Sequence, residues 1–131
     1  MLGHLGRVYE RQNRLDQARA SLESSVEILR SIANRRCEAI SLGALGSVMG
    51  RLGLLDEARR AFASGAELLQ ESSDPLELAK LLCAHARLEL DGGDRTRALA
   101  LAGEAERLAG ELGPSESSAL SGEIAALRER I

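Results

Sequence analysis

Two histidines and two cysteines, His4, His85, Cys37 and Cys83, are the side chains of this 131-residue chain best suited to nucleophilic, acid–base or soft-metal chemistry. Their spacing assembles none of it. Cys83 and His85 are two apart, so on a helix they point to different faces and cannot act as thiol nucleophile and base. A zinc site needs three or four converging ligands, and the chain holds no such cluster. The cysteines read instead as ordinary thiols of a reducing compartment, with the cytoplasm as the expected location. Glu104, Glu106 and Glu111 are most simply the solvent face of one helix, and the glycines follow no strand that would make a phosphate loop. The expectation is therefore no enzyme, no metal and no cofactor.

Charge narrows the partners further. The formal net charge is −3, and phosphate binding needs a basic surface or a dense basic stripe, so nucleic acid is not expected. No apolar run approaches the roughly 18 residues of a membrane span, and MLGHLGRVYE lacks the basic start and apolar stretch of a signal peptide. Sixteen of the 17 basic residues are arginine, the exception being Lys80, as expected of a GC-rich bacterial genome.

The elements that would position any of these side chains are helices. Ala, Leu, Arg and Glu dominate, aromatic residues are reduced to Tyr9 and Phe62, and there are only two prolines. Sliding the chain against itself by 40 aligns Leu2–Arg19 with Leu42–Arg59. Over residues 2–29 against 42–69, 13 of 28 positions are identical without a gap. A third copy persists at Leu82, Ala86, Gly93 and Ala98. Three sets of small residues keep the period: Gly6, Gly46, Ala86; Ala18, Ala58, Ala98; Ser25, Gly65, Ala105. Close helix crossings need small contact residues, so these mark where an antiparallel pair meets. Larger apolar residues flank them at helical spacing, such as Leu42, Leu45 and Met49, facing Phe62, Ala66 and Leu69.

Each repeat is thus two amphipathic helices joined by a turn, expected around Gln12–Arg14, Leu52–Leu54 and Gly92–Asp94. Asp74-Pro75-Leu76-Glu77 supplies an N-cap acid, a proline in the first turn and a glutamate at the third position, with Asn34 at the equivalent place 40 residues earlier. These signals place helices near 2–12, 15–33, 35–52, 55–72, 75–91, 95–112 and 115–130. One domain results: repeats at 1–34, 35–73 and 74–113, then a capping helix at 114–131 with Leu120, Ile124, Leu127 and Ile131 on one stripe.

Small residues 12 and then 7 apart, as in Gly6, Ala18 and Ser25, with Leu5 or Leu45 before the first and Tyr9 three after it, resemble the tetratricopeptide repeat. The 40-residue period is similar to the lengthened subclass found in bacterial regulators. The resemblance implies an all-α superhelical solenoid and a protein-binding scaffold, here the regulatory or sensory part of a larger bacterial signalling protein. In the third copy His85, Glu89 and Arg95 stand where apolar residues are expected, so that repeat should pack loosely or lie beside something polar.

The resemblance also implies a concave groove lined by the first helix of each repeat. By position that face is Gly3, Arg7, Glu10 and Arg11; Gly43, Ser47, Gly50 and Arg51; and Lys80, Cys83, Arg87 and Asp91. Five basic residues against two acidic make it cationic on an acidic body, which suits an acidic peptide partner. No asparagine accompanies Lys80, unlike the carboxylate-binding grooves of the family. Finally, the helix opening at Arg35 begins seven residues before Leu42, whereas Leu2 has only Met1 before it. A first helix lacking its opening turns is expected, hence a fragment of a longer protein, and an open N-terminal face that invites a homodimer through Leu2 and Leu5.

Overall fold

A computed structural model describes the backbone of residues 2–131 and the side chains of residues 11–131. Six helices follow one another: α1 (Leu2–Ser31), α2 (Arg35–Arg51), α3 (Leu55–Glu71), α4 (Pro75–Asp91), α5 (Arg95–Ala109) and α6 (Pro114–Arg130). No strand occurs among the described residues, and the all-α superhelix expected from the repeat is the fold.

The turns explain the regularity. Ala33, Gly53, Ser73 and Gly93 all take positive φ, between 52° and 88°. In each turn the following residue donates its N–H to the carbonyl five positions back: Asn34 to Leu29, Leu54 to Met49, Asp74 to Leu69 and Asp94 to Glu89, at 2.8–3.1 Å. This closes the outgoing helix with a left-handed cap. At three of the four turns that same residue then caps the incoming helix. The side chains of Asn34, Asp74 and Asp94 accept from the backbone N–H of Cys37, Glu77 and Arg97, at 3.0–3.2 Å.

The expected turn around Gln12–Arg14 is absent. α1 runs unbroken through it for 30 residues. Asn13 occupies the position of Gly53 and Gly93. Asparagine weakens a helix interior less than glycine does, so the break that Gly53 and Gly93 favour is not demanded at Asn13, although Ala33 and Ser73 show that a residue with a Cβ can take the left-handed turn.

The small-residue sets do mark the crossings. Ala58, Ala86, Ala98 and Ala105 are wholly buried. A Cβ on Gly46 would sit 2.8 Å from the ring of Phe62, so the missing side chain is what lets α2 lie on that ring. The core runs continuously from Val26 through Phe62 and Leu69 to Leu120, Ile124 and Leu127. Three residues of the stripe expected on the last helix, Leu120, Ile124 and Leu127, belong to this core, while Ile131 is only half-buried. Successive inner helices α2, α4 and α6 touch, whereas among the described residues the backbones of α1, α3 and α5 do not approach one another within 8 Å. The array curves accordingly, with α2, α4 and α6 on its concave side.

Of the polar substitutions of the third copy, His85 and Glu89 lie together, while Arg95 is exposed. Glu89 has no exposed surface and takes both Nε and Nη2 of Arg59, at 2.7–3.0 Å, with Arg97 Nε 3.2 Å away. His85 stacks on Phe62, ring centroids 5.0 Å apart and planes 7° from parallel. Its Nε2 is buried without a hydrogen-bond partner and lies 3.5 Å from Glu89 Oε2. The repeat explains the arrangement. Arg19 pairs with Glu57 at 2.9 Å, but the residues 40 further on are Arg59 and Arg97, two cations where the first pair has opposite charges. Glu89, in place of Met49, supplies the missing negative charge.

Burial holds the His85 imidazole below its ordinary value, and Arg97 and Arg59 add to this against the attraction of Glu89. The unfolded chain therefore takes up this proton before the folded one does. Stability should be full above about pH 6.5 and fall as the pH drops below it. Thermal melts at pH 7.5 and 5.5 will show a smaller pH-induced loss in His85→Leu, which restores the residue of the first two copies. An unchanged loss would assign the pH dependence elsewhere.

Candidate peptide-binding groove

α2 and α4 run side by side, separated in sequence by the returning helix α3, and a trough opens between their inner faces. Its first part is lined by Ile40, Gly43 and Ser47 of α2 and by Glu77, Lys80 and Leu81 of α4, with a cavity volume of about 200 Å³. Its second part, about 170 Å³, is lined by Ser47, Gly50, Arg51, Arg87, Leu88 and Asp91. Ser47 and Ala84 belong to both, so the trough is continuous. Beyond Arg87 the concave surface continues onto α6 past Glu123 and Arg130.

The structure thus brings Ser47, Arg51, Lys80 and Arg87 of the expected groove residues together. It does not bring Cys83 there. That side chain is fully buried, because α6 lies over the face of α4 that carries it. Burial pushes the thiol up to about 11, with the nearby Glu123 carboxylate adding to the shift, so Cys83 is a neutral core residue. Arg11 is exposed on α1 and lines none of the trough. Arg7 and Glu10 fall outside the described side chains, as does that of Leu2 or Leu5. Gly43 lines the trough as expected, but the space beside Gly50 is taken by Leu88, whose Cδ1 would lie 2.6 Å from a Cβ there.

The floor is small and apolar, and the charge at the rim is more balanced than the sequence suggested. Lys80 Nζ lies 3.5 Å from Glu77, which also meets Arg36 at 3.3 Å. Arg87 lies 3.4 Å from Glu123, and Asp91 2.8 Å from Arg130. Arg51, exposed at the end of α2, is the groove arginine with no ion pair among the described residues. Sequence reasoning passed over Glu77, Ile40, Leu81 and Ala84. The signal was available in the stripe 77, 80, 84, 87, 91, one position away from the phase that included Cys83.

No group of metal-ligating side chains occurs among the described residues, and no helix among them is long and apolar enough to cross a membrane. What the trough offers chemically is a curved, shallow channel, apolar in its first part, with ion pairs and the exposed Arg51 at its edge, a shape suited to an extended segment. A family model described as tetratricopeptide repeat matches residues 1–71, more than half of the chain. Comparison with curated proteins and with solved structures gives no match.

Proposed function

Since the chain belongs to the tetratricopeptide repeat family, whose members generally mediate protein–protein interaction, we propose that it is a non-catalytic module that seats an extended, acidic peptide segment in the trough between α2 and α4. The observation that carries this reading is the continuity of that trough, apolar along its floor, with Arg51 unpaired at its rim. The segment's apolar side chains would cover Ile40, Leu81 and Ala84, while its carboxylates meet Arg51 and compete for Arg87 and Lys80. In its full setting the module would serve as the regulatory or sensory part of a larger bacterial signalling protein in the cytoplasm.

Fluorescence anisotropy with a labelled Asp/Glu-rich peptide tests the reading. The double variant Arg51→Glu, Arg87→Glu should bind about tenfold more weakly, roughly 1.4 kcal/mol over two exposed charge reversals. Its circular dichroism should remain helical, and raising the salt should weaken the wild type most. Equal affinities for wild type and variant would remove the acidic segment from the proposal.

A further inference from the structure

α1 is nearly twice as long as the helix it packs on, and the excess carries the inference. At 1.5 Å per residue its 30 residues span about 45 Å, against about 25 Å for the 17 of α2. Ser25 faces Ser41 at 3.4 Å and Arg30 faces Glu38 at 3.1 Å, so the two helices are antiparallel. Extending that register sets Arg51 level with about residue 16, and the segment before it runs on past the end of α2. α2 is the one helix against which α1 packs among the described residues.

This leaves one face of residues 15–31 uncovered. Leu22 and Leu29 are only half-buried, whereas Phe62 and Leu69, their equivalents 40 residues on, have 0% and 1% exposure. Ile28 and Ile32 beside them are among the most exposed large apolar residues, at 61% and 64%. Phe62 packs against Gly46 of α2, on the segment 42–52, as well as against His85 of α4. The copy of that segment is 2–12, with Gly6 at the place of Gly46. The element built to cover residues 15–31 is therefore present in the chain but coaxial with its target, and a straight helix cannot fold onto itself.

We propose that two copies of the chain exchange these segments, residues 2–12 of each lying on residues 15–31 of the other. The register of the repeat fits this occupant. Gly46 opposite Phe62 becomes Gly6 opposite Leu22, so residue i faces residue 28 − i. Two antiparallel α1 helices in that register are related by a twofold axis at residue 14, within the missing turn. The exchange is thus closed and reciprocal, each copy completing the first repeat of its partner with contacts of the kind the second repeat makes within one chain.

The test is the molar mass and the route of a cross-link. Light scattering across a concentration series should give twice 14.0 kDa for the wild type. Asn13→Gly with Arg14→Asp installs the turn of Gly93 and Asp94, and should halve that mass with helicity by circular dichroism retained. In a Cys37→Ser background, Gly6→Cys with Leu22→Cys should yield a disulfide between chains on a non-reducing gel. A wild-type monomer throughout, a dimer unaffected by the installed turn, or a cross-link that is absent or confined within one chain would each overturn the exchange.

Discussion

Truncating Phe62 to alanine should lower the unfolding free energy by about 4 kcal/mol and the melting temperature by about 10–20 °C. The ring is completely buried, fills the space left by the absent Cβ of Gly46, and stacks on His85. Its loss removes the transfer free energy of a whole aromatic side chain and opens a cavity between two helices that cannot close around it. Urea denaturation followed by circular dichroism measures the change. A loss below about 1.5 kcal/mol, the level of a well-tolerated core exchange, would mean that the two helices are not held together at this crossing. Phe62→Leu, which matches Leu22 in the first copy, should recover part of the loss.

Replacing Glu89 by alanine should cost about 3 kcal/mol, toward the low end for breaking a buried ion pair because both guanidinium partners retain a route to water. The carboxylate is fully buried, while the Arg59 and Arg97 side chains are partly exposed. The converse change is instructive in its sign. Removing the arginines leaves the carboxylate stranded, so Arg59→Met with Arg97→Met should destabilise more than Glu89→Gln, which keeps shape and an acceptor. Chemical denaturation of the three variants decides the order. If Glu89→Gln proves the worse, the arginines are not what make this burial tolerable.

The contrast between these two sites shows what can be read from residue types alone. Phe62 and Gly46 were legible because a crossing demands small residues at fixed intervals, and the 40-residue period displays them. The helix starts at Asn34 and Asp74 were legible for the same local reason, since a cap is a matter of one side chain and three residues. Glu89 was visible only as an anomaly, an acid where Met49 had been. Its partners come from α3 and α5, and no local pattern on α4 names them. Cys83 failed differently: it sits one position off the concave stripe of α4, on the face that α6 covers. The turn at Gln12–Arg14 was expected from homology of the copies, yet Asn13 stands there in place of glycine and the helix continues. Period locates elements well. It does not weigh one residue's backbone preference against continuing a helix.

The left-handed residues Ala33, Gly53, Ser73 and Gly93 fall every twenty residues with the same hydrogen bonds around them. The backbone is in effect counted out in interchangeable lengths, and the natural unit of growth is two of them. Joining Leu52 directly to Gly93 would recreate a junction of the same form and shorten the array by one helix pair, with every later helix still facing the side it faced before. Removing a single length would instead turn every later helix end for end and carry the inner surface to the outside. A gene encoding such a chain can gain or lose segments in steps of forty codons while each turn it creates already exists elsewhere in the molecule.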